Sequence, residues 1–324
     1  MTTTQEHLSR NLGLDLVRVT EAAALVAGRW MGFGDTESAD HAATEAIAKT
    51  LSTLDIDGTI VVGEEYKVGS SFPLATGQKV GSGSGEAIDI VLDAIDGVKI
   101  LAKSDSDAIS VIGATKRGSM CPLFPANYLE KIIVDQEAAD ALVPECLTAP
   151  AAWTLALVAR VKKKSVRDLV VFVLDRPRHA DLIREIRAAG ARILLRSDGD
   201  VAGALATLTH ARADILMGIG GAPEGLISAC AVKSLGGAML SRLAPQSESE
   251  RAAVIEAGMD TRKIYTCDDL ITGNEIFLAA TGITDGAVLS GVHYHGDEGY
   301  TESLVLRCQT GSRRIIRSTH KLHN

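Results

Sequence analysis

The stretch VLDAIDGVKI (91–100) closes an apolar run with two carboxylates three residues apart, Asp93 and Asp96, followed by Gly97, Val98 and Lys99. Two further acids, Glu64 and Glu65, end the apolar run GTIVVGEE, and Asp40 lies in SADHAA. Hard oxygen ligands of this kind, with no thiolate pair among them, suit Mg²⁺ or Mn²⁺ better than zinc. A second set of polar residues follows: Arg176 and Arg178 in DRPRH, Asp198 and Asp200 in SDGD, and Glu224 in GIGGAPEG. Arginines offer bidentate donors to phosphate, and paired aspartates can accept from sugar hydroxyls. The glycines of GIGGAPEG, Gly221 among them, let backbone approach a ligand at a helix start, where amides favour anions. Acids in one half and phosphate- and hydroxyl-reading groups in the other describe a metal-assisted site for a phosphorylated polyol. The competing explanation is structural: acids also gather at strand ends because strands finish at the surface.

These residues need elements to hold them. Helical periodicity covers 14–28 (LDLVRVTEAAALVAG) and 38–52 (SADHAATEAIAKTLS), the latter opening on Ser38 and an acid-rich turn. Strands are expected at 58–64, 87–93 and 108–114, which are rich in β-branched residues. From about 165 the pattern alternates: strands at 167–175, 191–197 and 213–220, helices at 179–190, 200–211 and 224–236. Alternation of this length implies parallel βαβ units. The expected fold is therefore α/β, with a mixed sheet in the N-terminal half and βαβ layering in the C-terminal half. The halves are placed at 1–164, carrying the acids, and 165–324, carrying the phosphate-reading groups, as one compact unit. Open α/β sheets place ligands at the carboxyl ends of their strands, where most of these polar residues fall. Residues 138–162 read as a helical connector, and Lys162, Lys163 and Lys164 as its solvated end.

Composition narrows the function. The chain of 324 residues is 46% hydrophobic and carries a formal charge of −8, which argues against a general nucleic-acid or membrane-surface binder. Five scattered cysteines without a C-x-x-C pair fit a reducing compartment, and MTTTQEHLSRNLG lacks the apolar core of a secretory leader, so the cytoplasm is expected. Two motifs are set aside. GSGSGE (81–86) resembles a dinucleotide fingerprint but precedes a strand where it should link strand to helix, so a turn is expected. His293 and His295 of GVHYHGDEGY could bind metal from one strand face, but a polar loop between strands is the expectation.

Taken in order, RVTEAAALVAGRWMGFGD (18–35), SADHAA, DGTIVVGE, VGSGSGEAIDI, NYLEKIIV, RPRH, DGDVA, GIGGAPEG, ATGIT, ESLVLR and RRIIRSTH span nearly the whole chain. Together they resemble the class II fructose-1,6-bisphosphatases of the lithium-sensitive sugar phosphatase superfamily. The resemblance implies a layered αβαβα fold, dependence on Mg²⁺ or Mn²⁺, a homo-oligomer (dimer or tetramer), and in-line attack on phosphorus by a metal-activated water. It puts metal-binding acids on Asp40, Glu64, Asp93 and Asp96, with Glu224 facing metal and phosphate; Asp93, Asp96, Glu64 and Glu65 form the catalytic set. It puts sugar and distal-phosphate contacts on Tyr128, Arg176, Arg178, Asp198 and Asp200, beside the Gly97, Val98 and Gly221 backbone.

The departures are local. The family's GEGE reads GEEY here, with Tyr66 and Lys67 in place of an acidic loop, and its D-P-x-E-G-T reads DAIDGV. GEE and D-x-I-D-G are closer to the inositol monophosphatase version, in which Glu65 and Asp96 can still serve. Val98 matches neither branch, since both use Thr or Ser there to hold the attacking water. Three readings are compatible with this text: a divalent-metal-dependent ketose bisphosphatase, a diverged paralogue acting on another phosphorylated sugar or nucleotide-sugar, and a non-catalytic sugar-phosphate-binding protein.

Overall fold

A computed structural model describes residues 8–9, 11–63 and 73–322. Helices α1 (Leu12–Ala27) and α2 (Thr36–Leu51) come first. The Asp35 carboxylate caps α2 by accepting from Ser38 N at 3.0 Å, supplying one of the amides a helix start leaves unpaired. Strands β1 (Ile56–Val62), β2 (Lys79–Val80) and β3 (Glu86–Asp96) follow, then a short helix α3 (Val98–Ala102) and strand β4 (Ile109–Lys116). Next are β5 (Tyr128–Val134), α4 (Ala151–Val161), β6 (Val170–Leu174), α5 (Ala180–Ala188), β7 (Arg192–Arg196) and α6 (Asp200–Leu208). The chain continues through β8 (Ile215–Gly221), α7 (Ala222–Leu235), β9 (Ala238–Leu243), α8 (Glu248–Glu256), β10 (Tyr265–Thr266) and α9 (Cys267–Leu270). It ends in β11 (Ile276–Gly282), β12 (His293–His295), β13 (Glu298–Arg307) and β14 (Ser312–Lys321).

These strands form two mixed sheets. The first runs β12-β13-β11-β4-β3-β1-β2, with β14 on β13; the second runs β10-β9-β5-β8-β6-β7. Within the second, β7 and β8 both pair parallel to β6, the βαβ arrangement the alternation from 165 implies. Sheet membership, however, crosses residue 164 twice: β5 belongs to the second sheet and β11 to β14 complete the first. The halves expected at 1–164 and 165–324 therefore each give strands to the other's sheet. Periodicity reports which residues face a core, but not which strand will be the partner.

Burial follows three apolar clusters. One packs α1 and α2 on the first sheet, one lies around α6 and α7 and includes strands of both sheets, and one packs α4 and α5 on the second sheet. Helix α7 touches β3 and β11 on one side and β5 and β8 on the other, and is buried almost all round, which a one-faced apolar stripe could not satisfy.

Three local expectations need correction or refinement. Lys162 is not solvated: it is buried and paired with the buried Asp135, while Lys163 and Lys164 are exposed. His293 and His295 lie on the short strand β12, not in a loop; both are exposed, and His293 Nε2 stands 3.3 Å from Asp285. GSGSGE is a turn before β3, tied down by Ser82 and Ser84 hydroxyls donating to the Asp55 carboxylate at 3.1 and 2.7 Å. Among the described residues no helix is long and apolar enough to cross a membrane, and all five cysteines are free thiols.

Candidate active site

Where β3 meets β4 the register slips between Asp93 and Asp96. Such a bulge turns side chains that alternation would send elsewhere. Asp93 and Asp96 are both buried, and the Asp93 carboxylate accepts from Ile95 N at 3.0 Å across the bulge. The strand then stops at Gly97, whose φ of 101° lies in the left-handed region that favours glycine, and α3 starts at Val98. Val98 is half-buried at the mouth of this turn.

Asp96 reaches across to the other half of the chain. Its two oxygens accept from Asp200 N at 2.9 Å and Ala202 N at 2.7 Å, at the start of α6. The residue in the N-cap position there, Gly199, has no side chain to do this, so Asp96 caps α6 from outside the helix. Burial first, then the negative charge of Asp93, pushes the Asp96 carboxyl well above the ordinary carboxylate range, with the Ala202 amide pulling the other way.

A cavity of about 710 Å³ opens beside these turns. It is lined by Asp40 from α2, Asp93 and Asp96 from β3, and Glu224 from the first turn of α7. Tyr128, Arg176, Arg178, Asp198 and Asp200 line it as well, with Gly97, Val98 and Gly221. Every expected site residue among the described ones thus faces one cavity, while Glu64 and Glu65 lie outside the described residues. A somewhat larger cleft of about 810 Å³ lies against α1 and the end of β13. Its described walls carry Arg307 and Arg314 but no carboxylate, so the chemistry belongs to the smaller one.

The polar wall is organised by the second sheet. Arg176 pairs with Asp198 at 2.8 Å, and Asp198 also accepts from Lys99 N at 3.2 Å, joining α3 to the segment before α6. Arg178 donates to Ile219 O at 2.8 and 3.2 Å, with its guanidinium 5.2 Å from the centre of the Tyr128 ring. Beneath it, the buried His179 spans two backbone groups: Nδ1 donates to Leu174 O and Nε2 accepts from Ile219 N, each at 2.7 Å. Burial lowers the His179 pKa, as this neutral bridging role requires.

Some contributors were not singled out from sequence. Thr36 and Glu37 line the cavity, and the buried Lys131 ion-pairs with Asp200. The available signal for Lys131 was its position in NYLEKIIV, on the same strand face as Leu129 and Ile133.

The donor set suits a hard divalent cation. Asp93, Asp96 and Glu224 are all buried along one cavity, and their carboxylate oxygens are the hard donors that Mg²⁺ and Mn²⁺ take. Yet among the described residues no three His, Cys, Asp or Glu are grouped as a metal ion would require.

Comparison with known proteins shows the family of the chain. Residues 10–320 match the sequence profile of a family described as bacterial fructose-1,6-bisphosphatase, glpX-encoded. A class 2 fructose-1,6-bisphosphatase of Haemophilus influenzae is 37% identical over 329 aligned positions, covering 97% of each chain. Fructose-1,6-bisphosphatase 1 class 2 of Escherichia coli K12 is 35% identical, covering 97% of this chain and 96% of its own.

Proposed function

The chain belongs to the glpX-encoded family of bacterial fructose-1,6-bisphosphatases, and from that premise we propose that its cavity hydrolyses one phosphate monoester of a phosphorylated ketose, either fructose 1,6-bisphosphate or sedoheptulose 1,7-bisphosphate. The protein is a sugar bisphosphatase, hence a phosphoric monoester hydrolase. One observation carries the reading: a single cavity is lined both by the buried acids Asp93, Asp96 and Glu224 and by Arg176 and Arg178.

In this reading Arg176 and Arg178 bind the phosphate that stays on the sugar, Tyr128 packs beneath Arg178, and Asp198 and Asp200 accept from the polyol hydroxyls. Gly97 and Gly221 leave the backbone accessible to the reacting phosphate. Mg²⁺ or Mn²⁺ would be held by Asp40, Glu64, Asp93, Asp96 and Glu224, and when bound it lowers the pKa of water and neutralises phosphate charge. Glu65 supplies the additional catalytic carboxylate. Asp96, fixed by two amides, keeps its oxygens at the junction between the acid wall and α6. The αβαβα layering of the family is taken for the fold, supported by the three separate apolar clusters. A homo-oligomer, dimer or tetramer, completes the reading, with the cytoplasm as its place.

Val98 favours a second reading. It lines the cavity at the position where the resemblance implies a hydroxyl, which suits a diverged paralogue acting on another phosphorylated sugar or nucleotide-sugar, including by a non-hydrolytic step. Colorimetric phosphate release with Mg²⁺ or Mn²⁺ separates the two. Release from a ketose bisphosphate, lost in Asp93→Asn, supports hydrolysis; no release across a panel of sugar phosphates removes it.

A further inference from the structure

A lysine stands in the interior of the second sheet, away from water. Lys131 lies between Leu129 and Ile133 on the face of β5 that builds the cluster around α6 and α7, and its side chain is 1% exposed. An ammonium there is costly unless paired. Among the described residues its salt-bridge partner is Asp200, which is itself buried and lines the cavity.

Gly220, across from Leu129 on β8, faces both charges. A Cβ at this position would fall 1.8 Å from Asp200 Oδ2 and 2.5 Å from Lys131 Nζ. Gly220 is not among the positive-φ residues, so its backbone does not require glycine; the space does. The ion pair and the missing side chain are one construction. For stability alone it achieves little, because an apolar pair of the same volume would serve the fold as well. An apolar pair would not, however, hold a carboxylate in a cavity wall.

We propose that Lys131 is a positioning residue for substrate binding: its buried ammonium fixes the Asp200 carboxylate against Gly220, so that Asp200 meets the hydroxyls of the phosphorylated sugar in one orientation. The proposal rests on the sugar-phosphate reading above. Lys131 acts through the carboxylate alone, since the Asp200 amide goes separately to Asp96. Changing Lys131 therefore disturbs ligand binding while leaving the acid wall in place.

The test compares Lys131→Met, Asp200→Asn and the double variant in the full-length enzyme. Lys131→Met is expected to raise KM for fructose 1,6-bisphosphate about tenfold with kcat within about threefold, the signature of lost uniform binding. The double variant is expected to melt above both singles, because it leaves no unpaired buried charge. A lowered melting temperature with unchanged KM would make Lys131 purely structural and overturn the proposal; so would a fall in kcat matching the rise in KM. Lys131→Gln, which keeps a donor without the charge, gives the same readout if Lys131→Met does not fold. If the wild-type enzyme releases no phosphate, the bisphosphatase reading fails by itself. Titration calorimetry with fructose 6-phosphate then decides on Lys131: weaker binding by the variant supports its role, and unchanged affinity overturns it.

Discussion

Replacing Val98 by threonine puts one hydroxyl on the cavity wall and changes little else. Val98 is half-buried, starts a five-residue helix after Gly97, and packs only partly against the cluster under α1 and α2. Threonine is almost isosteric, so the fold loses at most one partly buried methyl, no more than about 0.8 kcal/mol. For a chain of this length that shifts the melting temperature by about 1 °C. The rate should respond far more. One preorganised hydrogen-bonding group next to the reacting water is worth on the order of 10² to 10³ in kcat, or about 3–4 kcal/mol of barrier. Val98→Thr is therefore expected to raise kcat for fructose 1,6-bisphosphate by about 10² or more with KM little changed. Steady-state phosphate release on wild type and variant, with thermal melts alongside, makes the comparison. A folded Val98→Thr enzyme with unchanged kcat would show that the hydroxyl is not what limits this site, and would refute the reasoning.

Two further outcomes follow from the buried polar groups. His179 is neutral in the fold and its pKa is depressed, burial being the main cause, so below about pH 6.5 the unfolded chain takes up a proton that the folded one resists. Stability contributed by His179 is present above that pH and is lost as pH falls towards its folded pKa, by up to about 1.4 kcal/mol per unit; urea midpoints at pH 7 and 5.5 should show this loss in wild type and less of it in His179→Gln. Lys162→Ala removes the ammonium from Asp135, leaving the Ala138 amide at 3.1 Å and the exposed His210 at 3.0 Å. That should cost about 3 kcal/mol, against under about 0.5 kcal/mol for the exposed neighbour in Lys163→Ala; equal urea midpoints for the two variants would show that Lys162 is not structurally engaged.

Much of this molecule was legible in its sequence because the relevant signals are local. The stripe of 14–28 became α1, the acid-rich start at Ser38 became the first turn of α2, and the alternation from 165 became parallel strands around β6. The acids of DAID and the basic DRPRH segment fell on one cavity because chain ends of strands converge there. What was not legible depends on partners distant in sequence. Nothing in NYLEKIIV says that β5 joins the strands after 164, or that Lys131 finds its counter-charge at Asp200. Lys162 reads as a surface lysine until Asp135 is placed beside it. The double duty of Asp96, lining the cavity while capping α6, appears only when two segments about a hundred residues apart are brought together.

The measurement that tests the central claim most directly is a ³¹P NMR time course of fructose 1,6-bisphosphate with the purified enzyme and Mn²⁺ or Mg²⁺. The account predicts that one of the two phosphate-ester resonances disappears as inorganic phosphate grows in equal amount, that the other ester resonance persists, and that Asp93→Asn leaves both esters intact. Two unchanged ester signals with the wild-type enzyme, under conditions where it is folded and metal is present, would contradict it.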